Sequence, residues 1–338
     1  MDSIKVTIVI PVYKVEKFIS RCLQSILNQT MTKGVECLII DDCSPDKSMD
    51  IVYDKLKKNK SDIEFRIIRN KQNMGIAYVR DLGIIESRGK YLTYIDSDDY
   101  CEPNTIEAMY RLAEKEDAEM VIADYYVHTN ELVTYHKQEV PTSWEDRLRA
   151  NLTDELKGFL WNKLIKKELY LKNKIRYFKN INFGEDFLIA LQLFYYVKNV
   201  SQLNKACIHY MQDNLNSYSR NISKKSLEDI RKYEKIFLDF MYEKELNVKM
   251  QDEITFIRLR NLNQLIFKSK GKLQKESTNS YKDLCIKDLI KNRSLIPSVY
   301  WRIALAAFIC GSLPIYNIMR SFWCLLRNKQ AKQFTIYQ

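Results

Sequence analysis

Five strand-like segments alternate with four helix-like segments between Lys5 and Ala123, and this alternation constrains the fold more than any other feature of the chain. Short apolar runs typical of buried strands lie at Lys5–Val12, Glu36–Ile40, Phe65–Ile68, Tyr91–Ile95 and Met120–Ala123. The segments between them carry apolar residues at helical spacing, at Glu16–Leu27, Ser48–Leu56, Ile76–Glu86 and Thr105–Glu116. This alternation predicts an α/β fold with a mostly parallel sheet and helices on both faces.

Polar residues follow three of these predicted strands. Tyr13 comes directly after the first strand, Asp41 and Asp42 end the second, and an acidic run follows the fourth. In sheets of this kind, ligands bind outside the carboxyl ends of the strands. We therefore expect the three strand ends to meet in one crevice, although each one alone is also compatible with an ordinary loop.

The acidic run contains Asp96, Asp98 and Asp99. Three neighbouring carboxylates repel one another, so a cation is expected to neutralise them. They offer hard oxygen ligands with no Cys or His in metal-ligand spacing, which favours Mg²⁺ or Mn²⁺ bridging a phosphorylated ligand. Asp98 is the predicted metal ligand, and Asp96 is predicted to hold either the metal or a ribose hydroxyl. A solvated acidic turn is the alternative interpretation.

The other strand ends offer contacts for a nucleotide. Asp42 is placed to accept a hydrogen bond from a base N–H, and Tyr13 offers a ring face for stacking. Arg80, on the helix after Gly75, is a candidate for contact with a diphosphate or with the base-binding aspartate. The alternative for Arg80 is a surface arginine paired with Asp81 or Glu86.

Displacement of a nucleoside diphosphate from a sugar by a hydroxyl needs a general base on the opposite side of the sugar ring. Asp186 is the candidate, with Glu185 as its neighbour, although acidic residues at a helix start are also simple caps. The chain has only three histidines, and no Ser-His-Asp or Cys-His arrangement competes. Among the three, His209 on a predicted closing strand is interpreted as a packed residue more readily than as a metal ligand.

The C-terminal part is both basic and apolar. The 338-residue chain has a net charge of +11, and residues 289–338 contain seven Lys or Arg and no Asp or Glu. Seventeen uncharged residues separate Arg302 from Arg320, interrupted by Gly311 and Pro314. A spanning helix needs about 20 apolar residues, so this segment is predicted to lie on or enter a membrane surface. A buried C-terminal helix of a soluble domain is the alternative.

These patterns predict three regions: a catalytic domain at 1–217, a helical region at 218–295 and a membrane-associating segment at 296–338. Later elements are predicted as a hairpin at Tyr125–Val140, helices at Glu155–Tyr170 and Phe187–Val197, a strand at Ala206–Tyr210, and helices from Lys224 onward. The eight cysteines form no Cys-x-x-Cys pair, which is typical of free thiols in a reducing compartment. The apolar run Val6–Val12 is too short for a secretory signal.

With these residues in hand, the chain resembles the inverting glycosyltransferases of family 2, which have the GT-A fold. Six motifs in the expected order carry the resemblance. They are Val-Thr-Ile-Val-Ile-Pro-Val-Tyr (6–13), Ile-Asp-Asp-Cys-Ser-Pro-Asp (40–46), Asn-Met-Gly-Ile-Ala-Tyr-Val-Arg-Asp-Leu-Gly (73–83), Tyr-Ile-Asp-Ser-Asp-Asp (94–99), Trp-Asn-Lys-Leu (161–164) and Gly-Glu-Asp-Phe (184–187).

The resemblance implies a GT-A, Rossmann-like domain followed by C-terminal helices, with site residues at each motif. The nucleotide pocket would comprise Pro11, Tyr13, Asp42, Arg80 and Asp96, with the metal, Mn²⁺ or Mg²⁺, on Asp98 and the base at Asp186. Asp99, Trp161, Lys163 and Glu185 are the candidates for the donor or acceptor cleft.

The implied reaction is transfer of a sugar from a nucleotide-sugar, with UDP expected, to a hydroxyl of a glycan or lipid-linked acceptor in capsule, O-antigen or exopolysaccharide assembly. The expected place is the cytoplasm, at the inner face of the cell membrane, with no nucleic-acid partner. The alternatives are a haloacid-dehalogenase-like phosphatase and a non-catalytic nucleotide-binding module. The first would place its Asp-x-Asp after the first strand, and the second would surround the sheet edge with basic and aromatic residues.

Three residues depart from the family pattern. Lys14 replaces the usual Asn after Tyr13, Cys43 replaces the usual Gly after the Asp pair, and Asp81 replaces the usual Asn after Arg80. Cys43 requires a turn that avoids positive φ or accepts strain. None of the three removes a carboxylate that the chemistry requires.

Overall fold

The computed structural model describes residues 3–129, 132–212, 224–268, 281, 283–292, 296, 299–312, 314–315 and 317–318. The chain divides into two compact units, Met1–Tyr233 and Glu234–Gln338. The predicted boundary at residue 217 lies outside the described residues, and so does most of the predicted segment 296–338. Both remain predictions.

Nine strands form one sheet in the described part of the first unit. They are β1 (Val6–Val12), β2 (Val35–Asp41), β3 (Glu64–Arg69), β4 (Tyr91–Tyr94), β5 (Tyr100–Cys101), β6 (Met120–Thr129), β7 (Leu132–His136), β8 (Lys163–Lys166) and β9 (Val200–Met211). Their order is β3-β2-β1-β4-β8-β6-β9-β5, with β7 paired to β6 as a hairpin. The pairs β1–β2, β2–β3, β1–β4 and β6–β9 are parallel, and the others are antiparallel.

Seven helices in the described part of the first unit cover the sheet or connect its strands. They are α1 (Ile19–Leu27), α2 (Ser48–Lys57), α3 (Ile76–Glu86), α4 (Thr105–Lys115), α5 (Trp144–Leu152), α6 (Lys167–Lys172) and α7 (Glu185–Tyr196). Helix α8 (Lys224–Glu243) contains the boundary between the units, and α9 (Gln251–Lys268), α10 (Ile286–Lys291) and α11 (Val299–Ile309) follow it.

The centre of the sheet is buried on both faces, as the continuous apolar runs predict. Every residue of β1, β2 and β4 is buried. Helix α1 packs onto this core through Ile19 and Leu23, which are fully buried, in agreement with its helical apolar spacing. Helix α3 has the predicted bounds at both ends.

The predicted helix at Glu155–Tyr170 is wrong. The chain instead forms β8, which inserts antiparallel between β4 and β6, followed by the short helix α6. Leu164 and Ile165 are fully buried in the sheet. A short apolar run fits a strand or a helix equally well. Here the strand is favoured because its backbone hydrogen bonds are satisfied by β4 on one side and β6 on the other.

The acidic segment crosses the carboxyl edge of the sheet. It leaves β4 and continues into β5, which lies at the far end of the strand order beside β9. Backbone contacts fix both ends, because Ile95 N donates to Val9 O and because Tyr100 and Cys101 pair with β9. The segment is thereby held against both halves of the sheet.

The second unit has its own polar contacts. Arg258 pairs with Glu234 and Asp283, and Tyr281 Oη donates to Glu234 at 2.5 Å. In the part of the chain that the structure describes, no helix has the length and apolar character needed to cross a membrane.

Candidate active site

Arg80 joins three of the predicted site carboxylates. Its Nη2 donates to both oxygens of Asp96, at 2.9 and 3.1 Å, and its Nη1 donates to Glu185 Oε1 at 2.8 Å and to Asp186 Oδ1. Asp96 follows β4, whereas Glu185 and Asp186 begin α7, so the guanidinium connects two distant parts of the sequence. The structure therefore brings the proposed base and the first aspartate of the acidic run to one place.

Tyr94 fixes the position of Arg80. Tyr94 Oη donates to the Arg80 carbonyl at 2.9 Å, and the guanidinium lies 5.9 Å from the Tyr94 ring centroid. The alternative of a surface arginine paired with Asp81 or Glu86 is wrong, since Arg80 is only 4% exposed. Asp81 instead pairs with Arg176.

Burial and charge set the protonation of the two acidic residues on α7. Burial raises the pKa of Asp186, with Arg80 opposing the rise and the negative charge of Asp96 adding to it. Burial, together with the charge of Asp186, also raises the pKa of Glu185. Arg80 therefore favours the ionised form of Asp186 that a general base needs.

Asp42 anchors the loop that precedes α3. Its Oδ1 accepts from Asn70 Nδ2 at 2.7 Å and Met74 N at 2.8 Å, and its Oδ2 accepts from Gly75 N at 2.9 Å. A carboxylate has about four lone-pair sites, so capacity for one more donor remains. The residue is 4% exposed, and it holds the loop 70–75 against the end of β2.

The end of β1 presents the predicted aromatic face. Tyr13 is 39% exposed, with Lys14 Nζ 5.2 Å from its ring centroid, whereas Pro11 is buried within β1 opposite Ile40. Cys43 has φ +57°, so the turn after Asp42 accepts left-handed backbone where a glycine would carry no strain.

The acidic residues of the crossing segment differ in exposure. Asp99 is fully buried, and its Oδ1 accepts from Met211 N at 2.7 Å; burial raises the pKa of this carboxyl well above its ordinary value. The backbone carbonyl of Asp98 accepts from Arg21 Nη2 at 3.0 Å. Asp99 thus ties the segment to β9.

The carboxylates of Asp96 and Asp98 suit a divalent cation only when a phosphate-bearing substrate supplies further oxygen ligands. Over the described residues, no group of three or more His, Cys, Asp or Glu is arranged to hold a metal ion. Asp96 and Asp98 supply two hard carboxylates at one strand end. Mg²⁺ is commonly held by one or two carboxylates plus substrate phosphates, and this pair fits that pattern.

Trp161 and Lys163 are both buried. Trp161 is 3% exposed and stacks on Phe159 and Tyr210, with ring centroids 5.1 and 5.4 Å away. Lys163 is fully buried, and its Nζ donates to the carbonyl oxygens of Lys157 and Phe159 at 2.8 and 2.5 Å and to Asn162 Oδ1 at 2.8 Å. The amine organises the loop that carries Phe159.

His209 is packed, as expected from its place on a strand. It stacks on Tyr100 with centroids 4.2 Å apart, and its ring nitrogens lie 2.8 Å from Glu102 Oε1 and from His128 Nε2.

Sequence reasoning missed Asn182, which contacts the start of α3 through Ala77 N. The available signal was a polar residue directly before Phe183 and Gly184 in the motif that carries the base.

The chain is similar to known glycosyltransferases. The sequence profile described as glycosyl transferase family 2 matches residues 7–183, just over half of the chain. EpsH of Bacillus subtilis, assigned as a glycosyltransferase, is 28% identical over 235 residues, which cover 68% of this chain and 66% of EpsH. A cholesterol galactosyltransferase of Borreliella burgdorferi is 27% identical over 273 residues, covering 70% of this chain and 74% of that protein.

The fold is shared with a solved structure. The structure of S. aureus TarS 1–349 in complex with UDP-GlcNAc superposes with a TM-score of 0.63 and 16% identity, covering 95% of this chain and 92% of that one. This similarity confirms the expected α/β, GT-A type architecture. The chain spans just under two thirds of EpsH, so the activity of the whole protein is not transferred from that relative. On the family profile, the chain belongs to glycosyl transferase family 2.

Proposed function

We propose that the protein transfers a sugar from a UDP-sugar to a hydroxyl of a glycan or lipid-linked acceptor, with inversion at the anomeric carbon. The observation that carries the proposal is the contact of one buried arginine, Arg80, with Asp96, Glu185 and Asp186. It places a candidate base beside a strand end whose carboxylates suit a metal-bound diphosphate. The UDP-GlcNAc in the TarS structure supports a uridine donor.

Each residue has one role in this reaction. Asp186 accepts the acceptor hydroxyl proton while the hydroxyl oxygen forms a bond to the anomeric carbon. The bond from that carbon to the diphosphate oxygen breaks, and the diphosphate leaves with the electron pair. Arg80 keeps Asp186 ionised before transfer.

Donor binding is assigned to the strand ends of the first unit. Asp42 is proposed to accept from the nucleobase, and Tyr13 offers its exposed ring for stacking. Asp98 and Asp96 would hold Mn²⁺ or Mg²⁺, which supplies positive charge for the leaving diphosphate when bound. Trp161 and Lys163 are proposed to hold the loop at Phe159, which would line the acceptor side of the cleft. Lys163 itself is not proposed to contact the acceptor.

The test begins with donor binding. A screen of UDP- and GDP-sugars by thermal shift, with and without Mn²⁺, identifies the donor because a bound ligand raises the apparent melting temperature. Asp98→Ala should abolish the metal-dependent part of the shift, while Asp54→Ala, which changes an exposed carboxylate paired with Lys57, should not. Equal UDP affinity of Asp98→Ala with and without Mn²⁺, at the wild-type level, contradicts the metal role.

The base is tested with the donor so identified. Asp186→Asn should lower transfer by about 10²–10⁴-fold, the usual contribution of a general base, and leave donor affinity near the wild-type value. Asp54→Asn is the matched control, since it removes a carboxylate far from the acidic strand end. Near-normal turnover of Asp186→Asn refutes the assignment, and a product of retained configuration refutes the one-step mechanism.

We also propose attachment to the inner face of the cell membrane through the basic segment 296–338. Support comes from the absence of acidic residues in 289–338 and from exposed apolar side chains at Ile303, Ile315 and Ile318. One of the basic residues, Lys291, is already paired with Asp252. Deletion of 296–338 should release the protein from vesicles containing anionic lipid; a truncated protein that still sediments with them contradicts the proposal.

A further inference from the structure

Helix α3 begins without a cap of its own. Its N-cap residue is Gly75, which has no side chain, and the second helical residue, Ala77, has an N–H with no partner inside the helix. Asn182, from a segment more than a hundred residues later, supplies the missing acceptor: its Oδ1 receives a hydrogen bond from Ala77 N at 3.2 Å. The helix that carries Arg80 is thus capped from the segment that carries the proposed base.

The contact between Asn182 and Gly75 is unusually close. A Cβ built on Gly75 would lie 2.5 Å from Asn182 Oδ1 and 2.6 Å from Nδ2, so the amide lies directly on the glycine backbone. Gly75 has φ +87°, and its own N–H donates to Asp42 Oδ2 at 2.9 Å. A continuous path of contacts therefore runs from Asp42 through Gly75 to Asn182.

The turn after Asn182 is held on its other side by α8. Asn182 N donates to Asp229 Oδ2 at 3.0 Å, and Gly184, with φ +82°, leaves only enough room for the Tyr233 ring. A Cβ on Gly184 would lie 2.9 Å from that ring. Asp186 is the second residue of α7, directly after this turn. Because the turn is held on both sides, we expect a displacement of Asn182 to be transmitted to Asp186.

We infer that Asn182 is a positioning residue that couples occupancy of the nucleobase pocket to the orientation of Asp186. The inference rests on the proposed function and extends it. A nucleobase bound to Asp42 fixes the loop 70–75, the loop fixes the Asn182 amide through Gly75, and the amide fixes the turn from which α7 starts. Donor binding at one end of the pocket thereby sets the base at the other.

Hydrogen exchange with UMP tests the coupling directly. UMP carries the nucleoside and one phosphate, and so occupies the base end of the pocket without a sugar near Asp186. In the wild type, saturating UMP should slow amide exchange in the peptide 181–190 by about threefold or more, in addition to slowing exchange in the loop 70–75. The protein is used as the full chain.

Two variants separate coupling from simple support. Asn182→Ala should still bind UMP, with protection of the loop 70–75, but lose the protection of 181–190. Asn182→Asp keeps an oxygen for Ala77 N and places a negative charge at a helix start, which is favourable, so it should retain the protection. Asn173→Ala removes another side-chain amide, which donates to Leu169 O at 2.9 Å, and should behave as wild type.

Kinetics gives a second measurement. Asn182→Ala should lower kcat by about tenfold while the donor KM changes much less, and Asn182→Asp should restore most of kcat. Unchanged UMP-induced protection of 181–190 in Asn182→Ala, or no such protection in a wild type that binds UMP, overturns the coupling alone. A wild type that binds no uridine nucleotide and transfers no sugar overturns the proposed function, and this inference with it.

Discussion

Replacement of Arg80 by Met leaves three carboxylates without their shared cation. Arg80 is nearly fully buried and contacts Asp96, Glu185 and Asp186, so the variant keeps their negative charges in a partly desolvated place. Removal of one partner from a buried ion pair costs about 3–5 kcal/mol. For a unit of this size each kcal/mol corresponds to about 2–4 °C, which gives an expected fall in melting temperature of roughly 6–20 °C near pH 7.5.

The pH dependence gives the sharper test. Glu185 and Asp186 have raised pKa values in the folded state, so the folded chain binds more protons than the unfolded chain and stability falls as pH rises through that window. The positive charge of Arg80 opposes the rise of both pKa values, so its removal raises them further. The pH range over which stability falls then extends to higher pH. The gap in melting temperature between wild type and Arg80→Met should therefore widen from pH 5 to pH 8.

Scanning calorimetry across this pH range measures the effect, with Arg111→Met as control. Arg111 pairs with Glu107 at 2.5 Å on the surface of α4, with its side chain 77% exposed, and its loss should cost well under about 1 kcal/mol at any pH. Arg80→Lys keeps the positive charge but lacks the guanidinium that donates through both Nη1 and Nη2. Its melting temperature should lie between those of the wild type and Arg80→Met. A fall below about 2 °C for Arg80→Met, or a gap independent of pH, would refute the reasoning.

Two further predictions follow from the same unit and its neighbour. Gly184→Ala should lower the melting temperature more than Gly311→Ala. Both positions have positive φ, but only at Gly184 would the new Cβ also lie close to a side chain, the Tyr233 ring. Equal losses of melting temperature in calorimetry would contradict a cost from the Tyr233 contact. Burial lowers the pKa of Lys163 to about 7, so above that pH the unfolded chain binds more protons than the folded one. The stability of wild type relative to Lys163→Met should then increase from pH 7 to pH 9, and a constant difference in unfolding midpoint would argue against this.

The parts of the fold that depend on local pattern were predictable. Continuous apolar runs located β1, β2 and β4, and helical spacing located α3 to the residue. The helix predicted at Glu155–Tyr170 failed because β8 is specified by its two sheet neighbours, which lie far away in sequence. A single strand of four residues carries too little periodicity to show this in advance.

The site shows the same division. The motifs predicted Asp96, Arg80 and Asp186 as site residues, and in the structure the Arg80 guanidinium contacts both carboxylates. The catalytic and binding roles of these residues stay predictions. Burial was harder to foresee: the residues 157–162 enclose Lys163, and Asp99 accepts a hydrogen bond from Met211, which lies 112 residues later in the sequence. Asn182 was missed for the same reason, since its importance lies in a contact with Ala77 and Gly75 that no local pattern encodes.

The crossing of the acidic segment from β4 to β5 has a consequence for biosynthesis. Strand β5 pairs with β9, so the second end of the segment joins the sheet only when Val200–Met211 is present. A nascent chain that has left the ribosome only as far as α7 contains Asp96 and Asp98 but lacks β9, the strand that pairs with Tyr100 and Cys101. Competence to bind a nucleotide should therefore appear late in synthesis, as a single event, after β9 has joined the sheet.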